Sequence, residues 1–167
     1  MPPAASRDGA VSLRFSVGSP TLKLKTSDVP QADSLGLVRR LLEAIAVSPN
    51  APVKHLAEQT GFSERHVRYR LQAARILGFL PAEGETVVTL RAKKLLATAP
   101  DSPEEKKQLV AAVKDCESVK VIAPHLLDSD AVDVKKLGER IARLSGLSPA
   151  TAERRAVVLR SWHRDLR

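Results

Sequence analysis

Leu56-Ala57-Glu58-Gln59-Thr60-Gly61-Phe62-Ser63-Glu64-Arg65-His66-Val67-Arg68-Tyr69-Arg70-Leu71 is the stretch on which the reading of this chain turns. Its order is that of a helix, a tight turn and a second helix. Ala57 is small enough for two helices to approach closely, and Gly61, four residues on, can take the positive φ that a sharp helix exit needs. Ser63 is a good N-cap for the next helix. Val67 and Leu71, four apart, point back to a core. Around them stand Arg65, His66, Arg68, Tyr69, Arg70, Gln72 and Arg75. The spacing predicts a helix-turn-helix whose second helix, Ser63 to Leu77, carries groups suited to phosphates and guanine edges.

The pattern recurs at a constant offset of 85 residues, where Ile141-Ala142-Arg143-Leu144-Ser145-Gly146-Leu147-Ser148 matches Leu56 to Ser63. The small residue, the turn glycine, the apolar residue after it and the capping serine all coincide. Pro149 suits a first helical position, because its missing N–H is not needed there. Ala152 and Ala156 fall where Val67 and Leu71 fell. Two such matches, spaced by about one small domain, predict two modules rather than a chance resemblance.

Working outward, Leu13 to Val17 alternates apolar and polar residues and predicts a short strand within an N-terminal arm, residues 1–33, whose first ten residues read as disordered. Leu35, Val38, Leu42 and Ile45, with Leu41 beside them, make the apolar stripe of a helix over Leu35 to Val47. After the second helix of the first pair, Thr86-Val87-Val88-Thr89-Leu90 is β-branched and strand-like, so a short hairpin, a wing, is expected there. A helix should follow it over Arg91 to Thr98. Ala99-Pro100-Asp101-Ser102-Pro103 marks the boundary between a first module, residues 34–99, and a second, residues 100–167. Ser102-Pro103-Glu104-Glu105 has the form of a capping box. Val119 to Leu127 reads as a short helix interrupted near Pro124. Val134 to Leu144 and Pro149 to Leu166 form the second helix-turn-helix, wingless or truncated. The expected fold class is therefore mainly α with a small β wing.

Helix, helix-turn-helix and wing together resemble the winged helix-turn-helix family of DNA-binding proteins. Ala74-Arg75-Ile76-Leu77-Gly78-Phe79-Leu80, then Val88-Thr89-Leu90 and Lys94-Leu95-Leu96, is similar to that family's recognition-helix exit and wing. The tandem layout resembles small prokaryotic proteins with paired winged-helix modules, related to the DNA-reading parts of restriction-modification and other defence proteins. Phe15 to Pro20, Ala32 to Val38, Arg68 to Ala74, Ser148 to Arg155 and Ser161-Trp162 are the matching pieces. What the resemblance implies is transcription regulation or DNA recognition.

Composition agrees with a polyanion partner. Lys and Arg number 27 against 19 Asp and Glu, for a net charge of +8, of which +5 lies in residues 34–99 and +2 in residues 100–167. Aromatics make up 3% of the chain, so its cores must be built from Leu, Val, Ile and Ala. The absence of a long apolar run or an N-terminal apolar segment argues against a membrane protein or a secreted one, and the single Cys116 suits a reducing cytoplasm, with a nucleoid-associated location expected. Cys116 itself reads as a small buried apolar residue rather than a catalytic thiol. Enzymatic readings fail on spacing. Asp101, Glu105 and Lys107 are too close together at a helix start to be a nuclease's metal-binding carboxylates and lysine. Asp128, Asp130 and Asp133 lack the glycine and terminal glutamate of a calcium loop. The four histidines share no metal-ligand spacing. No enzyme and no cofactor is expected.

The primary expectation is double-stranded DNA binding through the major groove. Arg65, Arg68, Tyr69 and Gln72, with His66 beside them, are the candidates for base edges. Arg70, Arg75, Arg91, Lys93 and Lys94, with Thr60 and Ser63, are the candidates for phosphates, with a bridge to the second module as the alternative for Arg70. Glu83 and Glu85 at the wing tip argue against a wing deep in the minor groove. The second module admits two readings. Thr151, Arg154 and Arg155 could face DNA, so that one chain imitates a symmetric dimer reading two half-sites. Alternatively those arginines lie on a solvated face, and Leu159, Trp162 and Leu166 pack against the first module or a partner. The competing class is a protein-interaction adaptor that uses its helical modules for docking, with a protein partner or a homodimer.

Overall fold

Serine, threonine and aspartate caps mark the start of six of the eight helices among the described residues. The computed structural model describes residues 24–167. Over these it holds α1 (Leu35–Val47), α2 (Val53–Thr60), α3 (Glu64–Ile76), α4 (Leu90–Leu96), α5 (Pro103–Asp115), α6 (Glu117–Ile122), α7 (Val134–Ser145) and α8 (Pro149–Leu166), after a 3-10 turn at Thr26–Asp28. The side chains of Ser34, Ser63, Thr89, Ser102, Asp133 and Ser148 each accept a first-turn backbone N–H. Each such cap is worth about 1 kcal/mol. The strand expected over Leu13 to Val17 lies outside the described residues.

The two helix-turn-helix units agree down to individual hydrogen bonds. Gly61 and Gly146 end α2 and α7 with φ of 80° and 75°. At the position before each glycine stands a hydroxyl that reaches back one turn. Thr60 Oγ1 donates to Leu56 O at 2.7 Å and accepts from Phe62 N. Ser145 Oγ donates to Ile141 O at 2.6 Å and accepts from Leu147 N. The hydroxyl thus bridges the last helical turn and the chain beyond the glycine, so the turn is built the same way twice. One difference lies in how closely the paired helices cross. Where the first unit has Val53, the second has Gly138, and a Cβ there would meet Glu153 Cα at 3.1 Å.

The β wing is not present. Residues 78–89 form an irregular loop, and there is no strand among the described residues. The β-branched run at Thr86 to Leu90 predicts a strand, yet a strand needs free donors and acceptors on a partner. Here they are already taken. The N–H groups of Phe79 and Leu80 both turn back to Ala74 O at the end of α3. Arg75 reaches into the loop and donates to Pro81 O (2.6 Å), Gly84 O (3.1 Å), Glu85 O (3.2 Å) and Thr86 Oγ1 (3.2 Å). Thr86 exchanges two bonds with Asn50, between α1 and α2, its O accepting from Asn50 N and its N–H donating to Asn50 Oδ1, each at 2.9 Å. One backbone bond, Thr89 N to Phe79 O at 3.1 Å, crosses the loop. Leu90, expected to end the strand, starts α4 instead.

Helices α1 to α4 enclose one part of the core, with Leu35, Val38, Leu41, Leu42, Ile45, Leu56, Phe79 and Leu80 all buried. Helices α5 to α8 enclose the other around Ile122, Ile141, Leu159 and Trp162. Besides the Arg91–Asp115 ion pair between α4 and α5, two features join them. The first is an ion pair on the buried side of α1. Arg39, 5% exposed, donates to Glu105 Oε2 at 2.6 Å and to Thr98 O at 2.7 Å. Glu105 Oε1 accepts from Asp101 N at 2.9 Å, so the capping box at α5 closes on the residue before the cap and also reaches the first module. The second is the segment leading to α1. Leu24 N donates to Leu144 O at 2.7 Å, and Ala32 O accepts from the indole of Trp162 at 2.8 Å.

Two predictions follow from these contacts. Arg39→Ala leaves Glu105 buried without its cation and should lower unfolding free energy by about 3–5 kcal/mol, read from urea denaturation. The apolar pair Arg39→Met with Glu105→Leu should recover most of that loss. Arg75→Ala removes the donors that hold the 78–89 loop. Faster amide exchange at Thr86 and Thr89 is expected, with α1 and α2 unchanged; slow exchange there would show that the loop holds itself.

Candidate nucleic-acid interface

The inner face of α3 carries Val67, Ala73 and Ala74, all buried, so its outer face is forced toward solvent. Arg65, His66 and Arg68 lie there, exposed, within the first two turns. Their bonds are confined to α3 and its cap. Arg65 Nε donates to Tyr69 Oη at 2.8 Å, with its guanidinium 5.5 Å from the ring centre. Arg68 Nη2 donates to Glu64 Oε1 at 3.4 Å. His66 Nδ1 lies 3.1 Å from the capping Ser63 Oγ, and its ring meets Tyr69 edge-on at 6.1 Å. Exposed pairs of this kind contribute about 0.3–0.5 kcal/mol and exchange readily for a phosphate or a base edge.

Other residues expected at the interface are turned inward. Thr60 is buried and its hydroxyl is held by Leu56 O. Arg75 clamps the 78–89 loop. Gln72 Nε2 donates to Ser27 O at 3.0 Å and to Val29 O at 3.2 Å. Arg155 donates to the same Val29 O at 2.7 Å and to Thr26 O at 3.2 Å. Burial lowers the Arg155 guanidinium from its ordinary value, with Tyr69 opposing the shift and Arg154 adding to it. Arg91, expected to reach a phosphate backbone, donates to Asp115 at 2.6 Å, and that hydrogen bond and charge hold the Asp115 carboxyl below its ordinary range. Lys93 and Lys94 are exposed on α4.

The second unit presents less. Ser148 caps α8, and its hydroxyl donates to Thr151 Oγ1 at 3.0 Å. Arg154 is exposed, with Nη2 on Thr151 Oγ1 at 3.2 Å. Between α3 and α8 runs a groove with His66, Tyr69 and Arg70 on one wall and Arg154, Val157 and Val158 on the other. Its floor is residues 31–33. That floor was not foreseen, because nothing local in the polar, proline-containing arm before α1 signals a contact with α3 or α8. Arg70 stacks on Phe62 at 4.2 Å, and Arg40 approaches the same ring at 5.3 Å while donating to Thr60 O. Burial lowers the Arg70 guanidinium, Asp33 opposing and Arg40 reinforcing.

Cys116 is buried at the junction of α5 and α6, and burial pushes its thiol above the ordinary value, which is the setting of a packed residue rather than a nucleophile. Among the described residues no three of His, Cys, Asp and Glu come together to hold a metal ion, and no helix is long and apolar enough to cross a membrane. No protein-family model matches the chain, and no curated protein or solved structure matches it.

Proposed function

We propose that this chain binds double-stranded DNA, with the N-terminal half of α3 in the major groove. One observation carries the reading: Arg65 and Arg68 stand on the outer face of a helix whose inner face is fixed in the core, and the Arg68 side chain is 61% exposed. A helix of 13 residues spans about 20 Å, ample to cross the groove. Arginine is the residue best shaped for guanine, whose O6 and N7 accept its two parallel donors. Arg68 would exchange Glu64 for DNA, while Arg65 leaves Tyr69. His66 and Ser63 border the same surface. The net charge of +8 supports long-range attraction to phosphate. Use in transcription regulation, or as the DNA-reading part of a larger system, is the role consistent with this chemistry.

Fluorescence anisotropy with labelled duplexes tests the reading. Affinity should fall steeply as salt rises, through counterion release. Arg65→Ala combined with Arg68→Ala should weaken binding by roughly 30-fold or more, since each well-placed arginine contributes about 1–3 kcal/mol. Unchanged affinity and sequence preference in that double variant would remove α3 as the reader, and a wild-type chain that retains no duplex would favour a protein-docking module. Glu64→Gln removes the carboxylate that competes for Arg68. It should tighten binding about two-fold, in line with the strength of an exposed pair.

A further inference from the structure

The two helix-turn-helix units agree in cap, turn and core, and they part company on the outward face. At the 85-residue offset, Arg65, Arg68 and Tyr69 of α3 correspond to Ala150, Glu153 and Arg154 of α8. The second unit thus lacks both exposed arginines of the first. In place of one it offers a carboxylate, exposed beside the close crossing at Gly138. Phosphate would repel Glu153, which disfavours entry of α8 into a groove in the manner proposed for α3.

The spacing of the two helices points the same way. A palindromic site read by two equivalent helices sets them about 34 Å apart, one turn of duplex. Here Gln72 of α3 and Arg155 of α8 donate to one carbonyl, Val29 O, at 3.2 and 2.7 Å. Tyr69 and Arg154 face each other across the groove floored by residues 31–33. The segment between the helices is buried and bonded to both, so they move together as neighbours. Across the groove, exposed His66 stands on α3 with Tyr69, which holds Arg65 at 2.8 Å, and exposed Arg154 stands on α8.

We propose that α3 and α8 present a single asymmetric surface that engages one duplex as one chain, with Arg65 and Arg68 on base edges and Arg154 on a phosphate flanking the same groove. The target is then non-palindromic and contained within about one helical turn. The inference rests on the duplex-binding reading above, and it excludes the two-half-site arrangement in which α8 is a second, equivalent reader.

Selection from random duplexes, followed by sedimentation equilibrium on a selected duplex of about 16 base pairs, tests it. One chain per duplex and a motif without dyad symmetry are expected. Arg154 bonds to Thr151 of its own helix, so Arg154→Ala should leave the thermal melt unchanged. It should weaken binding about three- to ten-fold across all sequences and reduce the salt slope by about one, the mark of a lost phosphate contact. Arg65→Ala should instead relax the selected motif. Two chains on a dyad-symmetric motif, or an Arg154→Ala chain with the wild-type slope, would overturn the proposal while leaving duplex binding in place. A wild-type chain that binds no duplex at low salt would overturn both together.

Discussion

A carbonyl oxygen taken out of water must find a donor, and the extended chain from Val29 to Ala32 has two of them to satisfy. Val29 is fully buried, and its oxygen is met by Gln72 from one module and Arg155 from the other. Ala32 O is met by the indole of Trp162. A segment with no secondary structure of its own thus becomes the seam of the molecule. Its position fixes where α3 and α8 lie, and through them which arginines are left to face solvent. The ion pair of Arg39 and Glu105 ties the modules on another side. Neither contact is strong by itself, but breaking either leaves a polar group buried without a partner, which is where the cost lies.

The two units also separate the residues that build a helix-turn-helix from those it turns to solvent. Glycine in the left-handed region, a hydroxyl one residue earlier and a capping serine occur in both copies with matching bonds. The exposed pair Arg65 and Arg68 occurs in the first unit, while the second turns Arg154 outward. Positions that set backbone geometry are held by both units, while the solvent-facing positions have diverged in charge. The second unit has taken up a bracing part, with Arg155 and Trp162 directed into the seam rather than outward.

What could be read from the chain alone was what depends on near neighbours. The caps at Ser63, Ser102 and Ser148, the exits at Gly61 and Gly146, and the apolar stripe of α1 are signals confined to a few residues, and those helices start and stop where they indicate. The wing failed because a strand is a property of two segments. Thr86 to Leu90 has the composition, but Ala74 O and the Arg75 guanidinium hold the groups its partner would have offered. Arg39 sits at the edge of the α1 stripe beside Glu43, and its buried partner Glu105 lies 66 residues away, beyond any local signal. Gln72 and Arg155 were expected on DNA for the same reason: their residue types suit a ligand, and nothing local reveals that a backbone carbonyl from the lead-in reaches them first. Arg65 and Arg68 were legible because their surroundings are their own helix.

The bond from Trp162 to Ala32 closes a span of 130 residues. Loop closure over such a span costs entropy and slows assembly. During synthesis the first module can gather its helices while the seam still lacks half of its lining. The Val29 to Ala32 segment lacks its cover until α8 leaves the ribosome, and the groove between α3 and α8 can close only then.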